Sequence, residues 1–297
     1  PAYRWHREAQ AVEQAREFLA KGNYRSASLS ARRALQLNPS NLGACRINAD
    51  LAEKVHSPYL LDWWRRIVEV APATSNKLML ASAALRTQGP PYPLAAQTLD
   101  ELTSSADNIA AYHAVCAELA LRLKRTGEAT AQFERASRLE PTNEMYQLNL
   151  AVLTLQSTNA AAKAGAQATL ERLRASTNVG ETALRWLVVN SLGQDDLPTA
   201  EKFSRQLLAA PQVVVDDRLQ LLTILHRSKN PGFKDYLSTL QKNATTNATE
   251  IYAISAWMIS HSLADDAFAW LTACPAKLRA EQPVPLALVD CYLARKD

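Results

Sequence analysis

The strongest constraint on this chain is a recurrence. Residues 31–41, "ARRALQLNPSN", return in outline at residues 133–143 as "FERASRLEPTN". Ala27, Ala34, Leu37, Pro39 and Asn41 match Ala129, Ala136, Leu139, Pro141 and Asn143, each pair 102 residues apart, which is three times 34. One offset shared by five positions points to a unit of 34 residues, and a fixed period of this size is the signature of a repeat architecture.

If 34 is the unit, helix-ending signals must recur between and beyond the two copies. Proline cannot continue a helix, and it biases the residue before it away from helical backbone. Proline follows an apolar run at Pro39, Pro72, Pro141, Pro211 and Pro275, and the polar breakers "ADN", "STN" and "NATTN" fill the gaps around Ala106, Ser176 and Ala244. The successive steps are 33, 34, 35, 35, 35, 33 and 31 residues. A second ladder of Gly, Pro, Asn and Asp clusters lies half a period earlier, from "KGNY" at 21–24 to "HSLADD" at 261–266. Two breakers per unit leave segments of about 12 residues, enough for three turns of helix and too long for typical strands.

Composition agrees. Ala and Leu dominate, only 8 of 297 residues are Gly, and alternating β-branched runs are nearly absent. The segments carry helical stripes: Leu60, Leu61, Trp64, Ile67 and Val68 share one face. Small residues recur where paired helices must approach closely, at Ala15, Ala27, Ala34, Ala49, Ala117, Ala129, Ala136 and Ala151. Helices this short cannot bury their stripes alone, so neighbouring pairs must stack into a shared core.

These residues resemble the tetratricopeptide repeat family, whose unit is 34 residues in two antiparallel helices. The first unit carries the fullest pattern: Ala15, Phe18, Gly22, Tyr24, Ala27, Ala34, Leu37 and Pro39. The fourth keeps Ala117, Ala129, Phe133, Ala136, Leu139 and Pro141, with Gly127 displaced toward the second helix. The resemblance spans the chain by period and about two units by motif. It implies an all-α, right-handed superhelical solenoid of helix pairs. The expected organisation is one solenoid over 1–297 with units at 8–41, 42–74, 75–108, 109–143, 144–178, 179–213, 214–247 and 248–278, then a half unit or capping helix at 279–297. Leu286, Leu288, Val289 and Tyr292 spread apolar character around that last segment, which favours a chain that continues over a polar cap.

The same composition bounds the chemistry. The 33 basic and 29 acidic residues give a net charge of +4 with both signs scattered, so a nucleic-acid partner is not expected. No phosphate-binding, dinucleotide-binding, serine-hydrolase or zinc-protease motif is present, and no catalytic residue, cofactor or metal is expected. His56, His226 and His261 fall near the ends of expected first helices, where the helix dipole favours a partial positive charge. Cys45, Cys116, Cys274 and Cys291 are read as small buried hydrophobes, although Cys274 and Cys291 are close enough in sequence to bridge. Trp64 is expected in the core, and Trp186, Trp257 and Trp270 between repeats. Trp63 lies off the stripe beside Arg66, either anchoring a partner or packing on the next repeat.

No apolar run approaches the roughly 20 residues that span a bilayer. A start at Pro1 rather than Met is compatible with a removed N-terminal segment, and "YRWHRE" suits either the flank of a membrane helix or the start of an amphipathic one. The first alternative would place the chain with bacterial membrane-tethered relatives of the resembled family.

In that family the first helices line a concave groove. The register places Val12, Arg16, Leu19, Arg46, Asp50 and Glu53 there, with Glu118 and Leu121 from the fourth unit. Their mixed charge suits an extended polar protein or peptide partner. Val12, Arg16 and Ile47 do not reproduce the basic and asparagine clamp that holds chaperone tails in some relatives. The resulting expectation is a non-enzymatic peptide-binding scaffold; the alternative is the recruiting region of a larger enzyme such as a glycosyltransferase.

Overall fold

A computed structural model describes residues 2–244 and 247–295; Pro1, Thr245 and Thr246 of the "NATTN" breaker, Lys296 and Asp297 lie outside the described residues. Among the described residues there are eighteen helices and no strand. The chain divides into two compact units, 1–154 and 155–297.

The first unit holds α1 (Ala2–Ala20), α2 (Tyr24–Leu37), α3 (Leu42–Lys54), α4 (Leu60–Val70), α5 (Thr74–Thr87), α6 (Pro93–Leu102), α7 (Ala110–Arg122), α8 (Thr126–Leu139) and α9 (Glu144–Thr154). The second holds α10 (Ala160–Leu173), α11 (Gly180–Gly193), α12 (Leu197–Leu207), α13 (Val215–Arg227), α14 (Phe233–Asn243), α15 (Ala248–Ser260), α16 (Ala264–Ala273), α17 (Ala276–Ala280) and α18 (Val284–Ala294). Helices α2, α4, α8 and α16 each end two residues before a proline, at Leu37, Val70, Leu139 and Ala273. Asparagine and aspartate start several others by accepting a backbone N–H: Asn23 from Ser26, Asn41 from Ala44 at 2.7 Å, Asn159 from Ala161, Asp196 from Thr199 and Asn247 from Thr249.

Six of the turns inside helix pairs share one backbone form. Gly22, His56, Lys124, Asp195, Lys229 and Ser262 all have positive φ, between 50° and 72°. At each, the next residue's N–H reaches back to the carbonyl five before it, as from Asn23 to Phe18, Ser57 to Ala52, Arg125 to Ala120 and Leu263 to Met258. This is the Schellman arrangement, which caps the last carbonyls of a helix and usually takes glycine at the left-handed position. Here only the first turn has glycine.

The small residues sit where close packing needs them. Ala15, Ala27, Ala34, Ala49, Ala117, Ala129, Ala136 and Ala151 are each at most 3% exposed. On the α4 stripe Leu60, Trp64 and Ile67 are buried, and Leu61 and Val68 pack beside them. In the second unit Leu222, Ile251, Ile254, Trp257, Met258, Leu271 and Val284 form a continuous core, with Trp270 packed against it. Each fully buried side chain of this size contributes about 2 kcal/mol through removal from water.

Polar side chains then tie helices roughly one period apart. Trp257 Nε1 donates to Thr223 Oγ1 at 2.8 Å, 34 residues earlier. Arg218 pairs with Glu250 and Arg227 with Asp195, each at a separation of 32. In the first unit Arg86 meets Glu53 at 3.0 Å. Arg185 and Asp217 form a two-pronged pair with both contacts at 2.9 Å. Asp217 is only 3% exposed. Burial pushes its carboxyl up, but the hydrogen bonds from Arg185 and the Val214 N–H, with the Arg185 and Arg218 charges, outweigh that and hold it below the ordinary range.

His56, His226 and His261 do fall at helix C-termini, and His261 Nδ1 bonds the Trp257 carbonyl at 2.8 Å. All four cysteines are free thiols, with Cys45 and Cys291 buried and Cys116 and Cys274 partly so. Burial raises all four thiols above their ordinary range. At the end of the second unit α18 packs on α15 and α16 through Val284, Ala287 and Cys291, while Leu286, Val289, Tyr292 and Leu293 are exposed.

Candidate functional site

On α3 each residue advances about 100° around the helix. Leu42, Gly43, Arg46, Ile47, Asp50 and Lys54 therefore gather on one side, and Asn48, Leu51, Ala52 and Val55 on the other. The first side faces α1, and with Arg16, Leu19 and Ala20 it encloses a groove of about 600 Å³. Gly43 lets the two helices approach: a β-carbon there would stand 3.1 Å from Val12 Cγ1.

The structure brings Arg16, Leu19, Arg46 and Asp50 together in this groove. It does not bring Glu53 or Glu118 into it. Glu53 is exposed on α3 and turned to Arg86 of α5, and Glu118 pairs with Arg122 on its own helix α7 at 3.2 Å. Val12, expected on the groove surface, is 8% exposed and belongs to the core below, because its side chain fills the gap at Gly43. The sequence reading missed Ala20, Leu42, Gly43 and Lys54. Lys54 was legible, since it lies one helical step of four from Asp50.

The lining carries three cations, Arg16, Arg46 and Lys54, against one carboxylate, Asp50. Arg46 donates to Asn76 Oδ1 at 3.3 Å, and Asn76 is itself buried and donates to the Ala71 carbonyl. That contact aims the guanidinium from α3 toward the start of α5. Arg16 lies 3.6 Å from Glu13 in a highly exposed pair that contributes little. Although one edge of Asp50 is open to water, partial burial and then the neighbouring Glu53 charge raise its carboxyl above the ordinary range, against Lys54 and Arg46. The groove is thus a positively biased trough with an apolar floor of Leu19, Leu42 and Ile47.

Across α3, Trp63 and Arg66 share a side as expected and face a second hollow. Elsewhere the buried His113 is held at both ring nitrogens, 2.7 Å from Gln132 Oε1 and 2.8 Å from the Asp107 carbonyl. Among the described residues no three His, Cys, Asp or Glu side chains converge as metal ligands would, and no helix is long and apolar enough to cross a membrane.

No protein-family model and no curated protein sequence matches the chain. Solved structures do. The Pseudomonas aeruginosa PilF structure superposes with a TM-score of 0.56 at 17% identity, covering 75% of this chain and 99% of its own. Yeast Tom70 matches with a TM-score of 0.59 at 14% identity, covering 92% of this chain and 60% of its own. Human IFIT1, solved as a dimer with m7Gppp-AAAA, matches with a TM-score of 0.66 at 15% identity, covering 93% of this chain and 68% of its own. At such identities the likeness concerns the path of the backbone alone, and a nucleic acid on IFIT1 means that the fold by itself excludes no partner class. With its stacked helix pairs and these matches, the chain has the all-α, tetratricopeptide-repeat-like solenoid fold.

Proposed function

We propose that this chain is a non-enzymatic binding scaffold that holds an extended peptide rich in acidic side chains in the groove between α1 and α3. The observation that carries this reading is the placement of Arg16, Arg46 and Lys54 around an apolar floor, with Asp50 the single opposing charge. An extended peptide can set carboxylates on the cations at the rim and lay small apolar groups on Leu19 and Ile47. Gly43 adds no side chain of its own to the floor. Asp50, Glu53 and Glu118, proposed with the others from the sequence, then act differently. Asp50 orients a peptide amide, while Glu53 and Glu118 stand outside the bound segment.

The test is fluorescence anisotropy with a labelled peptide of alternating Glu and Ser, compared with Lys–Ser and Gln–Ser peptides and with a capped RNA tetranucleotide. The acidic peptide should bind best and lose affinity with added salt, as partly exposed charges do. Changing Arg16, Arg46 and Lys54 together to Ala should weaken it roughly tenfold or more, since exposed pairs contribute up to about 1 kcal/mol each and 1.4 kcal/mol is tenfold. Tighter binding of the RNA, or equal binding by the triple variant, would refute the proposal.

A further inference from the structure

The opposite side of α3 forms the floor of a second hollow, of about 520 Å³, closed by α2 and by the start of α4. Its size is that of a pocket for one large side chain or a small molecule. Three kinds of group converge there. Tyr24 and Tyr59, 41% and 65% exposed, stand with Trp63 as aromatic walls over Leu35, Leu51 and Ala52. Such exposed aromatic groups are characteristic anchors of recognition surfaces.

The second group is cationic. Arg32 and Arg66 line the hollow, and among the described residues neither is paired with a carboxylate. Arg66 donates to the Pro39 carbonyl at 2.7 Å and also interacts with the Cys45 thiol, so Arg32 is the freer of the two cations. The one acid in the lining, Asp62, is 3.4 Å from Arg65. Two cations against one anion match a single negative charge better than the multiple charges of a polyphosphate.

The third group is Asn48, a polar side chain only 8% exposed in the pocket floor. Its Nδ2 donates to the Ala44 carbonyl at 2.9 Å. Its Oδ1 is the atom left to accept an N–H from a ligand in the hollow.

A planar ring, one carboxylate and an adjacent N–H occur together in the last residue of a peptide that ends in Phe, Tyr or Trp. We infer that this hollow binds the C-terminal aromatic residue of a partner protein: the ring against Tyr24, Tyr59 and Trp63, the terminal carboxylate on Arg32 and Arg66, and its amide N–H on Asn48 Oδ1. The site is separate from the α1–α3 groove, so two segments of partner can be held on opposite sides of one helix.

The experiment uses the full chain and fluorescein-labelled Gly-Ser-Gly-Ser-Phe. Anisotropy should show saturable binding by the free acid and a loss of about tenfold or more on amidating its C-terminus or replacing Phe by Ala, the size expected for a central anchor. Arg32→Ala and Tyr59→Ala, both at exposed positions, should each weaken binding while thermal melts stay unchanged. Changing Arg16, Arg46 and Lys54 together to Ala should leave it unaltered, which separates failure here from failure of the groove. Equal binding of acid and amide, no effect of Arg32→Ala, no saturation by roughly millimolar peptide, or tighter binding of adenosine monophosphate than of the peptide would each overturn the assignment.

Discussion

Single residues show how little of this chain's stability can be read from residue type alone. Asp217 and Arg185 look like ordinary surface charges in the sequence, and they lie 32 residues apart. Folding buries the carboxylate and satisfies both its oxygens. Asp217→Asn removes the two-pronged partner of Arg185, leaving it only Glu181 at 4.0 Å, and should destabilise the protein by about 2–3 kcal/mol at pH 7, at the lower end of values for broken buried pairs because Arg185 remains one-third exposed. The sign with pH follows from the lowered carboxyl. Its contribution is complete above the unfolded value of about 3.9 and is lost as pH falls through the lower folded value. Melts of the two proteins should therefore differ fully at neutral pH and converge in strong acid. Gly180 gives a second case: a β-carbon there would lie 2.8 Å from the Arg174 carbonyl oxygen. Gly180→Ala should lower stability by about 1–3 kcal/mol despite alanine's better helix propensity, and an unchanged denaturation midpoint would contradict the close approach.

At the scale of the element, the helices were legible and their turns were not. The alanines of the 34-residue pattern are buried because two helix axes cannot approach closely over larger side chains, and that steric demand repeats with the unit. The turn requires a backbone state, which His56, Lys124, Asp195, Lys229 and Ser262 meet with no chemistry in common. Scanning for Gly, Pro, Asn and Asp located the breaks without identifying the left-handed residue in five of these turns. A residue with a β-carbon pays about 1 kcal/mol in that conformation. Lys124→Gly and Lys229→Gly should each stabilise the chain by about 0.5–1 kcal/mol, read as a raised midpoint in urea. Gly22→Ala should do the opposite by a similar amount. The candidate groove was half legible for a related reason. Motif register assigned all six to one surface; Arg16, Leu19, Arg46 and Asp50 line the groove, but Glu53 and Glu118 do not. Their orientation is set by Arg86 and Arg122, which the register does not contain.

For the whole molecule, the recurring positions supply the frame and the differing ones supply whatever is recognised. Ala27, Ala34 and Pro39 are held in common between the first and fourth units and are spent on packing and helix ends. Arg16, Arg46, Lys54, Arg32, Trp63 and Arg66 are not part of that pattern, and they line the two hollows beside α3. The all-α repeat architecture could be anticipated because short amphipathic helices at a fixed spacing have one economical way to bury their stripes. The partner could not, because recognition depends on which side of each helix remains open after stacking. The central claim, that the α1–α3 groove holds an acidic extended peptide, is tested most directly by mapping amide chemical-shift changes in the deuterated full chain as the Glu–Ser peptide is added. The account predicts saturable shifts concentrated at Arg16, Leu19, Gly43, Arg46, Asp50 and Lys54. Shifts clustered elsewhere, or none at these six residues at saturation, would contradict it.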